Sequence, residues 1–71
     1  MNRVAEPRPE LSDEDVALLS LLARGLSLEA VARRLETSER TVRRRTRTIC
    51  DRLGVNTAIE AVVWAARRSL I

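Results

Sequence analysis

Apolar residues recur along this chain in four short stretches, each spaced to share one face of a helix and each opened by a hydroxyl residue. In the first, residues 11–24, Val16, Leu18, Leu19, Leu22 and Ala23 make a broad apolar face. Ser12 stands before it as N-cap, Asp13, Glu14 and Asp15 fill the first turn, and Leu11 is spaced to staple onto Val16. Asp15 can reach back as a shortened capping box, and Gly25 offers the left-handed residue that ends the helix. Ser27 caps a second, shorter helix from Leu28 to Leu35 or Glu36, with Val31, Ala32 and Leu35 inward and Arg33 and Arg34 outward. Ser38 opens a third, which ends at Leu53 before Gly54, and its apolar side is Val42, Ile49 and Leu53. Thr57 caps a fourth, from about Ala58 to Ser69. At about 100° per residue, Ala61, Val62 and Ala65 share one side of that last helix, while Ile59, Val63 and Trp64 fall away from it. A helix with apolar residues beyond its core face has to cover them, and a second copy of itself is the simplest cover.

The pattern predicts an all-α fold in one domain, with residues 1–10 as a flexible arm and residues 11–71 as the folded unit. Pro7 and Pro9 and the lack of periodicity set the arm apart. The second and third helices are joined only by Glu36 and Thr37 before Ser38, which is the spacing of a helix-turn-helix, whose second helix lies in the major groove while the first crosses the backbone.

Charge sharpens this picture. Six of the 13 basic residues, all of them arginine, fall in residues 38–53 against only Glu39 and Asp51, whereas residues 6–15 hold five acids and one base. The third helix therefore has an apolar side and an arginine side. A planar guanidinium suits phosphate and the guanine edge, so nucleic acid is the partner this helix favours over plain solvent. Trp64 is the sole aromatic, which argues against stacking of single-stranded bases. With no histidine and one cysteine there is no zinc ligand set and no internal disulfide, so no metal or cofactor is expected. Cys50 reads as a small buried hydrophobe; as a redox sensor it would need the nearby arginines to lower its pKa. Catalysis has no support, for there is no Gly-rich phosphate loop and no paired-carboxylate arrangement beyond capping acids. No stretch is apolar enough for a signal peptide or a membrane span, so a cytoplasmic, nucleoid-associated location is expected.

LSDEDVALLSLLARGLSLEAVARRL, then SERTVRRRTRTICDRLGV, then AIEAVVWAARRSLI resemble in order, over residues 11–71, the LuxR/FixJ-type (GerE-like) helix-turn-helix domain of bacterial regulators. The resemblance implies a four-helix domain that binds double-stranded DNA specifically and regulates transcription as a homodimer. It places Arg43, Arg44 and Arg47 at the positions that enter the major groove, and the helical wheel independently puts these three on the free face. Ser38 and Thr41 match residues that touch phosphate, as does Arg52, and Arg40 and Arg45 are assigned to phosphate with them. The dimer contact is expected on the last helix, at Ile59, Glu60, Val63, Trp64 and Arg67. Some features depart from the family. Arg45 replaces a frequent histidine, Ala30 a frequent glutamate, and Asn56-Thr57-Ala58 lacks the arginines that often follow Leu-Gly-Val. No receiver or ligand-binding domain is expected before residue 11, and no small-molecule site is evident. RNA polymerase or another regulator is a further candidate partner. The competing reading is a co-regulator that uses the last helix to bind a sigma factor or another LuxR-type regulator.

Overall fold

A computed structural model of the chain describes residues 11–71; the expected arm, residues 1–10, lies outside the described residues. Four helices follow one another with no strand among the described residues: α1 Asp13–Ala23, α2 Leu28–Arg34, α3 Glu39–Leu53 and α4 Ala58–Arg67. The all-α, four-helix architecture is thus as expected. Each helix is opened by the hydroxyl residue the sequence offered. Ser12, Ser27, Ser38 and Thr57 accept from the backbone N–H three residues on, each at 3.1 Å. In α1 the Asp15 side chain returns the bond to the Ser12 N–H at 3.1 Å and completes the capping box.

The four helix ends share one closure. A left-handed residue follows each helix, and the amide beyond it bonds back over the last turn: Leu26 to Leu21, Thr37 to Ala32, Val55 to Cys50 and Leu70 to Ala65, at 2.9–3.4 Å. Glycine serves at Gly25 (φ 87°) and Gly54 (φ 73°), but Glu36 (φ 57°) and Ser69 (φ 59°) serve at the other two. These two stops carry no glycine signature. That is why α2 and α4 end at Arg34 and Arg67, a residue or two earlier than the apolar pattern implies.

One core joins the helices. Leu18 and Leu19 of α1, Val31 of α2, Val42 and Ile49 of α3, and Ala61 and Ala65 of α4 are all but sealed from solvent. α1 and α3 each pack against all three other helices, whereas α2 and α4 do not meet. The α3 side chains Val42 and Ile49 are part of this shared core. Burying an aliphatic side chain of this size is worth about 1.5–3 kcal/mol, so in a domain this small a handful of them decides whether it folds. One expectation for apolar residues is corrected: Ala23 is exposed, because it is the last residue of α1 and the chain turns away beyond it. Trp64, which the sequence leaves open between a satellite of the core and the dimer contact, packs half-buried against the core, with the Arg68 guanidinium 3.9 Å from its ring centre.

The left-handed stop at Glu36 generates a prediction. A non-glycine residue in that conformation costs about 1–2 kcal/mol, and glycine there costs about 0.4–1 kcal/mol in unfolded-state entropy, so the balance favours glycine. Glu36→Gly should raise the thermal unfolding midpoint by about 2–6 °C, and Glu36→Val should lower it, as read by circular dichroism.

Candidate nucleic-acid interface

α3 supplies the site, and its amphipathic split places it. With Val42 and Ile49 facing the core, Arg40, Arg44 and Arg47 fall within about 60° of one another on the opposite side, Arg43 flanks them, and all four are exposed. The exposed stripe borders an open groove of about 780 Å³ whose apolar floor includes Leu28, Cys50 and Val55. The threonines of the helix bond inward to their own backbone: Thr46 Oγ1 donates to the Val42 carbonyl at 2.7 Å and Thr48 Oγ1 to that of Arg44 at 3.1 Å. Charge rather than hydroxyl chemistry therefore dominates the exposed face.

The arginines are not equivalent. No carboxylate lies within ion-pair distance of Arg40, Arg44 or Arg47 among the described residues. Arg43 is paired one helical turn back, its Nη2 2.9 Å from Glu39 Oε2. Arg45 and Arg52 turn toward α1, where Arg45 Nη2 lies 3.1 Å from Glu14 Oε1 and Arg52 Nη1 lies 3.2 Å from Asp15 Oδ2. The Glu14 side chain is 81% exposed, so that pair is weak and open to exchange. Asp15 is different. It is buried, and one oxygen accepts from both the Ser12 amide and Arg52, so the cap of α1 and the last turn of α3 are tied through a single atom.

At the entry to α3, Ser38 Oγ accepts from the Thr41 N–H and donates to Thr41 Oγ1 at 3.0 Å. Ser38 is exposed, Thr41 is half-buried, and the Thr41 hydroxyl proton is left to donate outward. Beneath the stripe, Cys50 is buried and its thiol pKa is raised, first by burial and then by the Asp51 and Glu60 carboxylates. A redox sensor needs its thiol pKa lowered, and these surroundings raise it, so Cys50 fits a buried structural thiol.

On α4, Ile59 is 76% and Val63 42% exposed, and Arg67 is exposed as well. Ile59 and Val62 border a shallow apolar trough of about 280 Å³ with Leu22 and Ala23. Glu60 is committed to its own helix: Oε1 accepts from the Asn56 and Thr57 amides at 2.7 and 3.0 Å, forming a capping box with Thr57. The Thr-x-x-Glu spacing signals this box in the sequence, and the spacing of four signals the Glu39–Arg43 pair, whereas no local spacing signals the reach of the α1 acids to α3.

Residues 9–65 match the family described as bacterial regulatory proteins, luxR family. The chain belongs to this family. Among relatives, the transcriptional regulatory protein YdfI of Bacillus subtilis (strain 168) is 37% identical over 62 residues, covering 87% of this chain and 29% of YdfI. The chain thus spans under a third of the length of that relative. No solved structure matches it. As a LuxR-family domain the chain carries the DNA-binding helix-turn-helix of transcription regulation. No helix among the described residues is long and apolar enough to cross a membrane.

Proposed function

We propose that residues 11–71 form one DNA-binding unit that reads duplex DNA sequence-specifically with α3 in the major groove, as a homodimer joined through α4, in the cytoplasm. The observation that carries the reading is the stripe of Arg40, Arg44 and Arg47, which faces solvent, with no carboxylate partner among the described residues, directly opposite the most deeply buried side chains of the same helix. A helix of 15 residues spans about 22 Å at about 10–12 Å diameter, dimensions that suit a groove about 12 Å wide.

In this reading Arg43, Arg44 and Arg47 reach base edges, and Arg40, Arg45, Arg52, Ser38 and Thr41 hold phosphate. Arg45 takes up a phosphate by exchanging the exposed Glu14 for it, a trade between two weakly held anions. Arg52 reaches DNA with less freedom, since the buried Asp15 holds it. Phosphate neutralisation supplies most of the affinity and makes it fall with salt, while each bidentate base contact supplies about 1–3 kcal/mol of discrimination. On α4, exposed Ile59 and Val63 support a self-contact, with Trp64 and Arg67 beside it; Glu60 contributes there through its helix cap. The same apolar surface favours a second reading, a co-regulator that engages another protein such as a sigma factor, RNA polymerase or another LuxR-family chain.

The arginine roles are tested by comparing a preferred duplex, selected from a random library, with an unrelated one. Arg44→Ala and Arg47→Ala should weaken the preferred duplex about tenfold more than the unrelated one, whereas Arg45→Ala should weaken both alike. Identical profiles for the three would reject the division between base and phosphate contacts. For the dimer, Val63→Glu should leave the helical circular dichroism signal unchanged, because Val63 already meets solvent, yet abolish the dimer in sedimentation and weaken the preferred duplex. If the mutant is folded and still dimeric, the contact lies elsewhere; if it is monomeric and binds DNA as well as wild type, α4 serves another partner.

A further inference from the structure

The Glu39–Arg43 pair has no obvious place in a surface built to attract a polyanion. Glu39 is the first residue of α3, at the end that enters a groove first, and its carboxylate should repel phosphate there. The two side chains are 45% and 64% exposed and only 2.9 Å apart, while the neighbouring Arg40, Arg44 and Arg47 have no carboxylate within ion-pair distance among the described residues. Of the exposed arginines on this face, Arg43 alone among the described residues has a carboxylate of its own helix within ion-pair distance.

Three physical consequences follow. The pair is close to neutral, so Arg43 contributes little to counterion release. Its guanidinium is held by one nitrogen, which lowers the entropy lost when the remaining donors engage a planar acceptor pair. A phosphate approaching that guanidinium must also approach the Glu39 carboxylate, whereas the O6 and N7 of guanine are uncharged and meet no such repulsion. We infer that Glu39 is a positioning residue for specificity: it directs Arg43 away from phosphate and toward a guanine edge, so that each protomer reads a G·C pair at the position Arg43 faces. This inference rests on the DNA-binding reading above.

The test is a double-mutant comparison on the full chain. Wild type, Glu39→Gln, Arg43→Ala and the double variant each select from a random-sequence duplex library, and each is then titrated with the selected duplex, with that duplex altered at single G·C pairs, and with an unrelated duplex. Glu39→Gln keeps the size and polarity of the side chain and removes only the charge, and circular dichroism checks its fold. Glu39→Gln should bind unrelated duplex several-fold more tightly than wild type, and should lose about tenfold of its preference at one G·C pair per half-site. In the Arg43→Ala background the same substitution should leave base preference unchanged, because the residue being positioned is gone. A merely structural role at the helix end would instead weaken every duplex in parallel. That parallel loss, an unchanged preference in Glu39→Gln, or a shift that persists without Arg43 would each overturn the inference while leaving wild-type binding intact. If wild type selected no sequence at all, the parent reading would fall with it.

Discussion

The structure depends on the burial of one side of α3. Val42 and Ile49 are sealed at 0% and 1% exposure on a helix that packs against all three others. Because the side chains of a helix are fixed in angle about its axis, anchoring these two also fixes Arg40, Arg44 and Arg47 on the far side. Fold and candidate interface are thus one constraint seen from two sides. Loosening the core packing would let the arginine stripe rotate and would blur whatever geometry it presents.

Electrostatics then sorts the arginines by distance from that anchor. Arg45 and Arg52, on the side of α3 that faces α1, meet Glu14 and Asp15. Asp15 lies deep enough for its pairing with Arg52 to act as a structural tie, whereas Glu14 is exposed and holds Arg45 loosely. The acids of the first turn therefore stabilise the dipole of α1, complete its cap and brace α3, three uses of one short acidic run. Beneath the arginines, burial pushes the Cys50 thiol pKa up, with Asp51 and Glu60 adding to the rise.

Much of this was legible in the sequence. Hydroxyl residues at 12, 27, 38 and 57 announced every helix start, and Gly25 and Gly54 announced two of the four ends. Glu36 and Ser69 gave no warning, because a left-handed residue without glycine is decided by how the next segment packs. The inward and outward sides of α3 followed from period alone, since from Glu39 to Thr48 Val42 stands alone among polar residues and Ile49 follows it two turns on. Trp64 could not be placed that way: a large side chain at the edge of a wheel is drawn under by Arg68 and the core, which periodicity does not encode. Nor could periodicity say which arginine pairs with which acid when the partners stand 31 and 37 residues apart. LuxR-family membership gives the regulatory class, and the pairing of Arg43, Arg45 and Arg52 with Glu39, Glu14 and Asp15 comes from the geometry.

The central claim is that the solvent face of α3 is where duplex DNA is read. The most direct measurement is a nuclear magnetic resonance titration of the chain with a duplex taken from a random-library selection, following backbone amides and arginine side-chain NεH groups. The largest changes should fall on residues 38–47, with the Arg44 and Arg47 side chains shifting strongly, Arg52 shifting less, and the buried Leu18 and Leu19 of α1 least disturbed. Changes confined to α1 and α4, with the α3 arginines unmoved, would contradict it.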